Sequence, residues 1–522
     1  WTALRRGEVR LLYLAPERLS QPAFRSALSE LSVSLFGVDE AHCISEWGHE
    51  FRPDYRTLGT LRDDFPGVPI AAFTATATTQ VQDDVIRELR LEDPFVVRAS
   101  FDRSEISYAV VRKDNVERQI LDFVRAHHGE PGIVYRSSRK SVEKTADRLA
   151  ASGIRAVAYH AGLEDDDRRS RQEAFVRDEV EVVVATIAFG MGIDKSNVRW
   201  IVHGDLPRSL EAYYQETGRA ARDGEPAETV LFYGPGDIRT IRYHIDRMEV
   251  PQERERAEGR LREVLRYADS GVCRRKLLLD HFDEEHPGNC GNCDVCTGAV
   301  ELEDLTVAAQ KILSAAYRTG ERFGGHHLAD IVVGNATDRV LERGHNELPT
   351  FGVGAEREKG FWLSLLHDLE GAGYLERRDG QKSGFRMTEA GRRVLRGKER
   401  FEAARRPKAP AGGGGARRRP GGRGVPGSAD ARGGPELGLH SRRTADEEEL
   451  FEVLRRLRLK LARERDLPPY IVFSDKALRS IARNRPTDEA GLLRCHGVGE
   501  RKLEQYGGAF IAAVGEYLAG GN

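Results

Sequence analysis

Cys290, Cys293 and Cys296 are each separated by two residues, and Cys273 precedes Cys290 with sixteen residues between them. Four thiolates so spaced are the complete donor set of a closed tetrahedral zinc site, which leaves no open coordination position and makes the metal structural, not catalytic. The cluster is too local to be the disulfide framework of a 522-residue chain. Cys43 and Cys495 stand alone and read as small buried apolar side chains. A second constellation is Leu35-Phe36-Gly37-Val38-Asp39-Glu40-Ala41-His42, an apolar strand delivering two carboxylates at its carboxyl end, where open α/β sheets bind ligands. Asp39 suits a hard-oxygen ligand for Mg²⁺ on a nucleotide, often through water, and Glu40 suits the base for a water attacking the γ-phosphate. The third runs from Gln215 to Gly224, where Arg219 and Arg222 are spaced to share one face of a helix. A planar, permanently charged guanidinium there can neutralise charge on a transferred phosphoryl group.

These groups need a scaffold, and the chain between Val9 and Tyr233 supplies its rhythm. Short apolar runs at Ser34 to Val38, Ile70 to Phe73, Gly132 to Tyr135, Val180 to Ala185 and Thr229 to Tyr233 alternate with charged helical stretches. That pattern predicts an α/β fold with parallel sheets. Val9 to Leu14, flanked by Gly7 and Pro16, reads as a further buried strand. The helix predicted over Thr79 to Leu91 closes the first block, giving lobes at 1–101 and 102–245. Residues 246–303 carry the cysteines, and 304–402 show helices followed by a small hairpin around Asp379-Gly380, the pattern of a winged helix. Between 403 and 443 stand 11 Gly, 5 Pro and 10 Lys or Arg against 2 acids, a composition that buries no core and predicts a flexible basic linker. Residues 444–522 regain helical periodicity at Leu450, Leu454, Leu457 and Leu461. Net charge is only -2, so any nucleic-acid surface must come from local clustering of arginine. No apolar run approaches the roughly 20 residues of a membrane span, and Trp1-Thr2-Ala3 opens no signal peptide, so a soluble cytoplasmic protein without a membrane partner is expected.

Taken in order, Asp39 to His42, Thr74-Ala75-Thr76, Val134 to Arg139, Ala185 to Lys195 and Gln215 to Gly224 resemble motifs II to VI of the RecQ-type DNA helicases of superfamily 2. The resemblance implies two RecA-like lobes, the first incomplete, then a zinc-binding helical subdomain, a winged helix and a helicase-and-RNase-D C-terminal (HRDC) module. It implies that His42, Thr74 and Thr76 couple nucleotide state to lobe position, that Gly192 and Asp194 sit at the lobe interface, and that Gln215, Arg219 and Arg222 act on ATP. Ala221 stands where the family more often has glycine, and a methyl group on a helix is expected to matter little.

The loop after the acidic strand end, with Trp47, His49, Phe51 and Arg52, resembles the family's aromatic-rich DNA-sensing loop. Stacking a base on such a ring contributes roughly 1–3 kcal/mol without regard to sequence, which suits single-stranded DNA. Arg377, Arg378, Lys382 and Arg386 make the expected wing basic, for duplex DNA. Cys495 to Lys502 sets glycine N–H groups beside cations that suit phosphate. The resemblance further implies ATP-driven unwinding with 3′ to 5′ polarity in DNA repair and recombination, with ATP, Mg²⁺ and Zn²⁺ as cofactors, a single-strand-binding protein as partner, and association with the nucleoid. No phosphate-loop string Gly-x-x-x-x-Gly-Lys-Ser/Thr occurs in the 522 residues, and no Lys precedes Lys113. The expectation is therefore an amino-terminally truncated chain. The competing readings are an ATPase-dead DNA-binding remnant and a zinc-dependent transcriptional regulator.

Overall fold

A computed structural model describes residues 1–46, 51–190, 194–299, 302–377, 384–404 and 444–520, which fall into two compact units. The first comprises Trp1–Asp102, Ser209–Gln215 and Arg275–Pro287. Strands β1 (Phe36–Val38) and β2 (Ile70–Ala72) pair in parallel, Phe36 against Ile70. The ladder runs on beyond them: Phe73 donates to the Val38 carbonyl at 2.8 Å and Ala41 to the Phe73 carbonyl at 2.9 Å. The helix Thr79–Glu88 begins where the Thr78 hydroxyl accepts from the Val81 N–H, and it packs Val81 and Val85 onto Ile44, Leu58 and Leu61. Val9 to Leu14 departs from expectation. It forms no strand, and Leu11 is 67% and Tyr13 86% exposed. A parallel strand is stable only when neighbours take up its N–H and C=O groups, and among the described residues β1 and β2 pair only with each other. Aromatic packing holds Ser209–Gln215 in this unit: Tyr214 donates to the Phe101 carbonyl at 2.8 Å, and Phe282 stacks on Phe101 with centroids 4.6 Å apart.

The second unit contains a six-stranded parallel sheet in the order β3-β8-β7-β4-β6-β5, formed by β3 (Ile106–Arg112), β4 (Gly132–Tyr135), β5 (Ala156–Tyr159), β6 (Val182–Ala185), β7 (Trp200–His203) and β8 (Ala227–Tyr233). Strands β4, β6 and β7 are buried at every residue, as a sheet covered on both faces requires. Asn115 caps the helix Val116–Ala126, and Ser138 with Ser141 forms a capping box for Arg139–Ala151. After the long helix Pro251–Asp269 and the cysteine loop, the winged-helix core gathers Ile312, Leu328, Trp362, Leu365 and Val394, with Leu375–Arg377 paired antiparallel to Phe385–Met387. The last domain is all helical from Ala445 to Gly520. Leu450 and Leu454 are fully buried in its core, with Leu457 and Leu461 partly so. The hairpin turn at Asp379-Gly380 and the linker from 405 to 443 lie outside the described residues, and among those described no helix is long and apolar enough to cross a membrane.

Gly132 opens β4 against the face of Trp200, and a methyl group there would lie 2.0 Å from the indole. Gly132→Ala is therefore expected to destabilise the sheet by about 3 kcal/mol, read as a lower denaturation midpoint.

Candidate functional site

The strand end in the first unit builds a continuous polar string. Glu40 takes a left-handed backbone, φ 49°, where the chain leaves β1 for the short helical turn Ala41–Ile44, and its N–H bonds to Asp39 Oδ1 at 2.8 Å. His42 is 2% exposed, and its Nδ1 lies 2.9 Å from Thr74 Oγ1 and 3.3 Å from Glu40 Oε2. The Thr74 hydroxyl also lies 3.1 Å from the Thr76 carbonyl, and a hydroxyl that donates there accepts from a protonated His42 Nδ1. The same Nδ1–H then also faces Glu40. Gln215 then donates to the Thr76 hydroxyl at 3.1 Å. Three separated stretches of sequence thus join as Glu40–His42–Thr74–Thr76–Gln215. Asp39 remains exposed at the strand end, as a ligand for a hydrated cation must be. Further along the chain Phe51 and Arg52 are half-buried, the Arg52 N–H donates to the Cys43 carbonyl at 2.9 Å, and the Arg56 guanidinium sits over the Phe51 ring at 5.1 Å. Trp47 and His49 lie outside the described residues.

Arg219 and Arg222, in the second unit, do not share a helix face. The helix ends at Thr217, and Gly218 to Gly224 form an irregular turn. Tertiary bonds explain this. Ala221 donates to the Val198 carbonyl at 3.0 Å and Asp223 to the Ser196 carbonyl at 3.2 Å. The Arg103 guanidinium caps the carbonyls of Gly218, Ala220 and Ala221 at 3.2, 3.0 and 3.3 Å. Those contacts outbid the i to i+4 bonds of a continued helix. Ala221 consequently has φ 57°, left-handed, so its methyl group is strained where a glycine would not be, contrary to the mild effect expected. Arg219 bonds to the Gly190 carbonyl, and a Cβ at Gly190 would lie 2.5 Å from that guanidinium. Arg222 reaches Asp194 at 3.3 Å. Gly192 lies outside the described residues. A buried pair unmarked by the motif strings holds the root of the turn: His203 Nε2, at the end of β7, lies 2.6 Å from Glu216 Oε2. Arg103 and His203 have no motif of their own, and only their partners identify them.

The four cysteine sulfurs lie within 4.8 Å of one another. Tetrahedral zinc with Zn–S near 2.3 Å sets sulfurs about 3.8 Å apart, so a small closure fits the metal. Two backbone N–H groups already point at sulfur, Asn292 to Cys290 at 3.4 Å and Cys296 to Cys293 at 3.5 Å, as they do around thiolates. The loop is also fastened to the sheet edge. Asp294 accepts from Val110 N–H at 2.9 Å and from the fully buried Arg274, next to Cys273, at 2.9 and 3.2 Å. On the winged-helix hairpin, Arg386 pairs across to Glu376 at 2.6 Å. Arg377 is described only as strand backbone, and Arg378 and Lys382 lie outside the described residues.

Five families match along the chain: DEAD/DEAH box helicase over 1–85, helicase conserved C-terminal domain over 114–224, RecQ zinc-binding over 235–297, RQC domain over 299–411 and HRDC domain over 447–514. The ATP-dependent DNA helicase RecQ of Haemophilus influenzae is 40% identical over 98% of this chain and 80% of its own length. Those of Pasteurella multocida and Bacillus subtilis are 39% and 35% identical over 98% of this chain, covering 78% and 82% of their lengths.

Two outcomes are expected from this geometry. Ala221→Gly relieves the left-handed methyl group and raises unfolding stability by about 1 kcal/mol, and an unchanged or lower denaturation midpoint would refute the strain. Stripping metal with a chelator, or replacing Cys290 with Ser, exposes the amides of residues 288–297 and of Val110 to hydrogen exchange, because site formation and local folding are coupled. Retained protection, or no zinc in freshly purified protein, would contradict the assignment.

Proposed function

Because the chain belongs to the RecQ family of ATP-dependent DNA helicases, we propose that it uses ATP hydrolysis to separate duplex DNA, translocating 3′ to 5′ along one strand in DNA repair and recombination. The observation that carries this reading is the string Glu40–His42–Thr74–Thr76–Gln215, which links the acidic strand end to the stretch that leads into Arg219. Such a string gives a γ-phosphate-facing carboxylate a mechanical connection to neighbouring elements, which a helicase needs and a simple binding module does not.

In this mechanism Asp39 would hold the Mg²⁺ of a bound nucleotide, which would polarise the phosphates, and Glu40, oriented by His42, accepts the proton of the attacking water. Arg219 and Arg222 neutralise the charge that builds on the transferred group, with the Arg103-capped turn fixing their direction. Thr74, Thr76, Gly192 and Asp194 transmit the nucleotide state. Trp47, His49, Phe51 and Arg52 stack and pair with single-stranded DNA, while the hairpin carrying Arg377, Arg378 and Lys382 meets the duplex. The four cysteines would hold Zn²⁺, which would keep the loop on the sheet edge. A single-strand-binding protein is the partner proposed.

The test is DNA-stimulated phosphate release by the protein. Glu40→Gln is expected to lower turnover by about 100-fold or more while sparing DNA binding. Gln215→Ala should keep nucleotide binding and lose the DNA-stimulated increment. Strand separation should require a 3′ tail on a forked duplex. A protein without DNA-stimulated turnover would establish the ATPase-dead reading, and preference for a 5′ tail would reverse the polarity.

A further inference from the structure

The carboxy-terminal helical domain packs, within the second unit, on the sheet-bearing lobe, and several charged contacts join them. Arg455 donates to the Gly129 carbonyl at 2.6 Å. Arg479 lies 3.5 Å from Glu225, and Arg177 of the lobe pairs with Asp466. Deeper in, Arg458 is fully buried. It donates to the Phe473 carbonyl at 2.9 Å and to Asp475 at 2.7 Å, and stands 4.0 Å from Asp178 of the lobe. Asp475 in turn is 3.9 Å from the lobe's Arg199. Burial works against the Asp475 charge, but Arg458 and Arg199 outweigh it and hold the carboxyl down at about 2. Asp178 also binds the fully buried Lys195, which ends the stretch containing Gly190 and Asp194. The docked domain thus sits on the segments that flank the Arg219 turn.

Three arginines of one domain, Arg455, Arg458 and Arg479, face a carbonyl oxygen and two carboxylates of the other. Oxygen acceptors arrayed against arginine are also what a DNA backbone offers, since guanidinium binds phosphate and carboxylate through the same fork of N–H donors. We propose that this lobe surface is a docking site for the chain's own helical domain and that it competes with DNA phosphates for the domain's arginine face. In the docked state those arginines are withheld from DNA. Backbone phosphate in sufficient density draws the domain off and at the same time frees the segments around Lys195 and Glu225. The proposal rests on the helicase reading for its ligand, but the docking itself does not.

The test uses the full chain with two lobe-side substitutions, Arg177→Asp and Glu225→Gln, which leave the helical domain's sequence intact. Together they make the chain more negative, so simple electrostatics would weaken DNA binding. Hydrogen exchange should show lost protection at residues 176–181 and 222–226, and a mixed-sequence single-stranded oligonucleotide at low salt should bind about fivefold tighter. Adding Asp466→Arg to Arg177→Asp restores the pair with reversed sign and should return both readings toward the parent. Unchanged protection in the first variant would overturn the charge-held docking, and lost protection with equal or weaker DNA binding would overturn the competition. If neither parent nor variant binds DNA while protection still changes, the competition and the helicase reading both fail and the docking stands.

Discussion

Parallel strand pairing is the constraint on which the rest depends. Parallel strands point their carboxyl ends the same way, so every loop that leaves one is delivered to a common edge. In the first unit this brings Asp39 and Glu40, after β1, beside Thr74 and Thr76, after β2, although more than thirty residues separate them. In the second unit it sets Arg136, Thr186 and Gly204 beside one another after β4, β6 and β7. The next residue, Asp205, then collects Arg136 at 3.0 Å and Lys113 at 2.7 Å. Burial opposes the Asp205 charge, yet those two cations hold its carboxyl below the usual range. A one-residue slip of register would turn these side chains away.

Buried charge fixes how the pieces of the second unit join. Arg274 with Asp294 fastens the cysteine loop to β3, and Arg458 with Asp475 lies where the last domain meets the lobe. Such pairs need not add net stability, because desolvation offsets much of the attraction. They do penalise any arrangement that separates them, since a lone buried ion costs several kcal/mol. Apolar packing fills each core, and the ion pairs set how one core is oriented on the next.

The Arg219 turn shows local preference giving way to tertiary bonding. The sequence from Leu210 to Arg222 contains no proline and a single glycine, Gly218, and by propensity the helix could continue past it. Capping by Arg103, the N–H bonds of Ala221 and Asp223 to the chain before β7, and the His203–Glu216 pair all favour the turn. A left-handed alanine is the local cost.

The sequence by itself determined the four-cysteine cluster, the acidic strand end and the α/β alternation, because each is carried by residue identity at short spacing. Gly132 to Tyr135 appeared with its observed bounds because a strand buried on both faces is a continuous apolar run. Val9 to Leu14 was just as apolar and formed no strand, because strand formation depends on a neighbour that composition does not reveal. The tertiary structure alone decided that Arg219 and Arg222 lie on a turn, that Gln215 reaches Thr76, that Arg103 and His203 matter, and that the last domain seats its arginines on the lobe. Each of these is a contact between residues far apart in the chain, and hydrogen-bond geometry between distant groups leaves no periodic trace in the sequence of either partner.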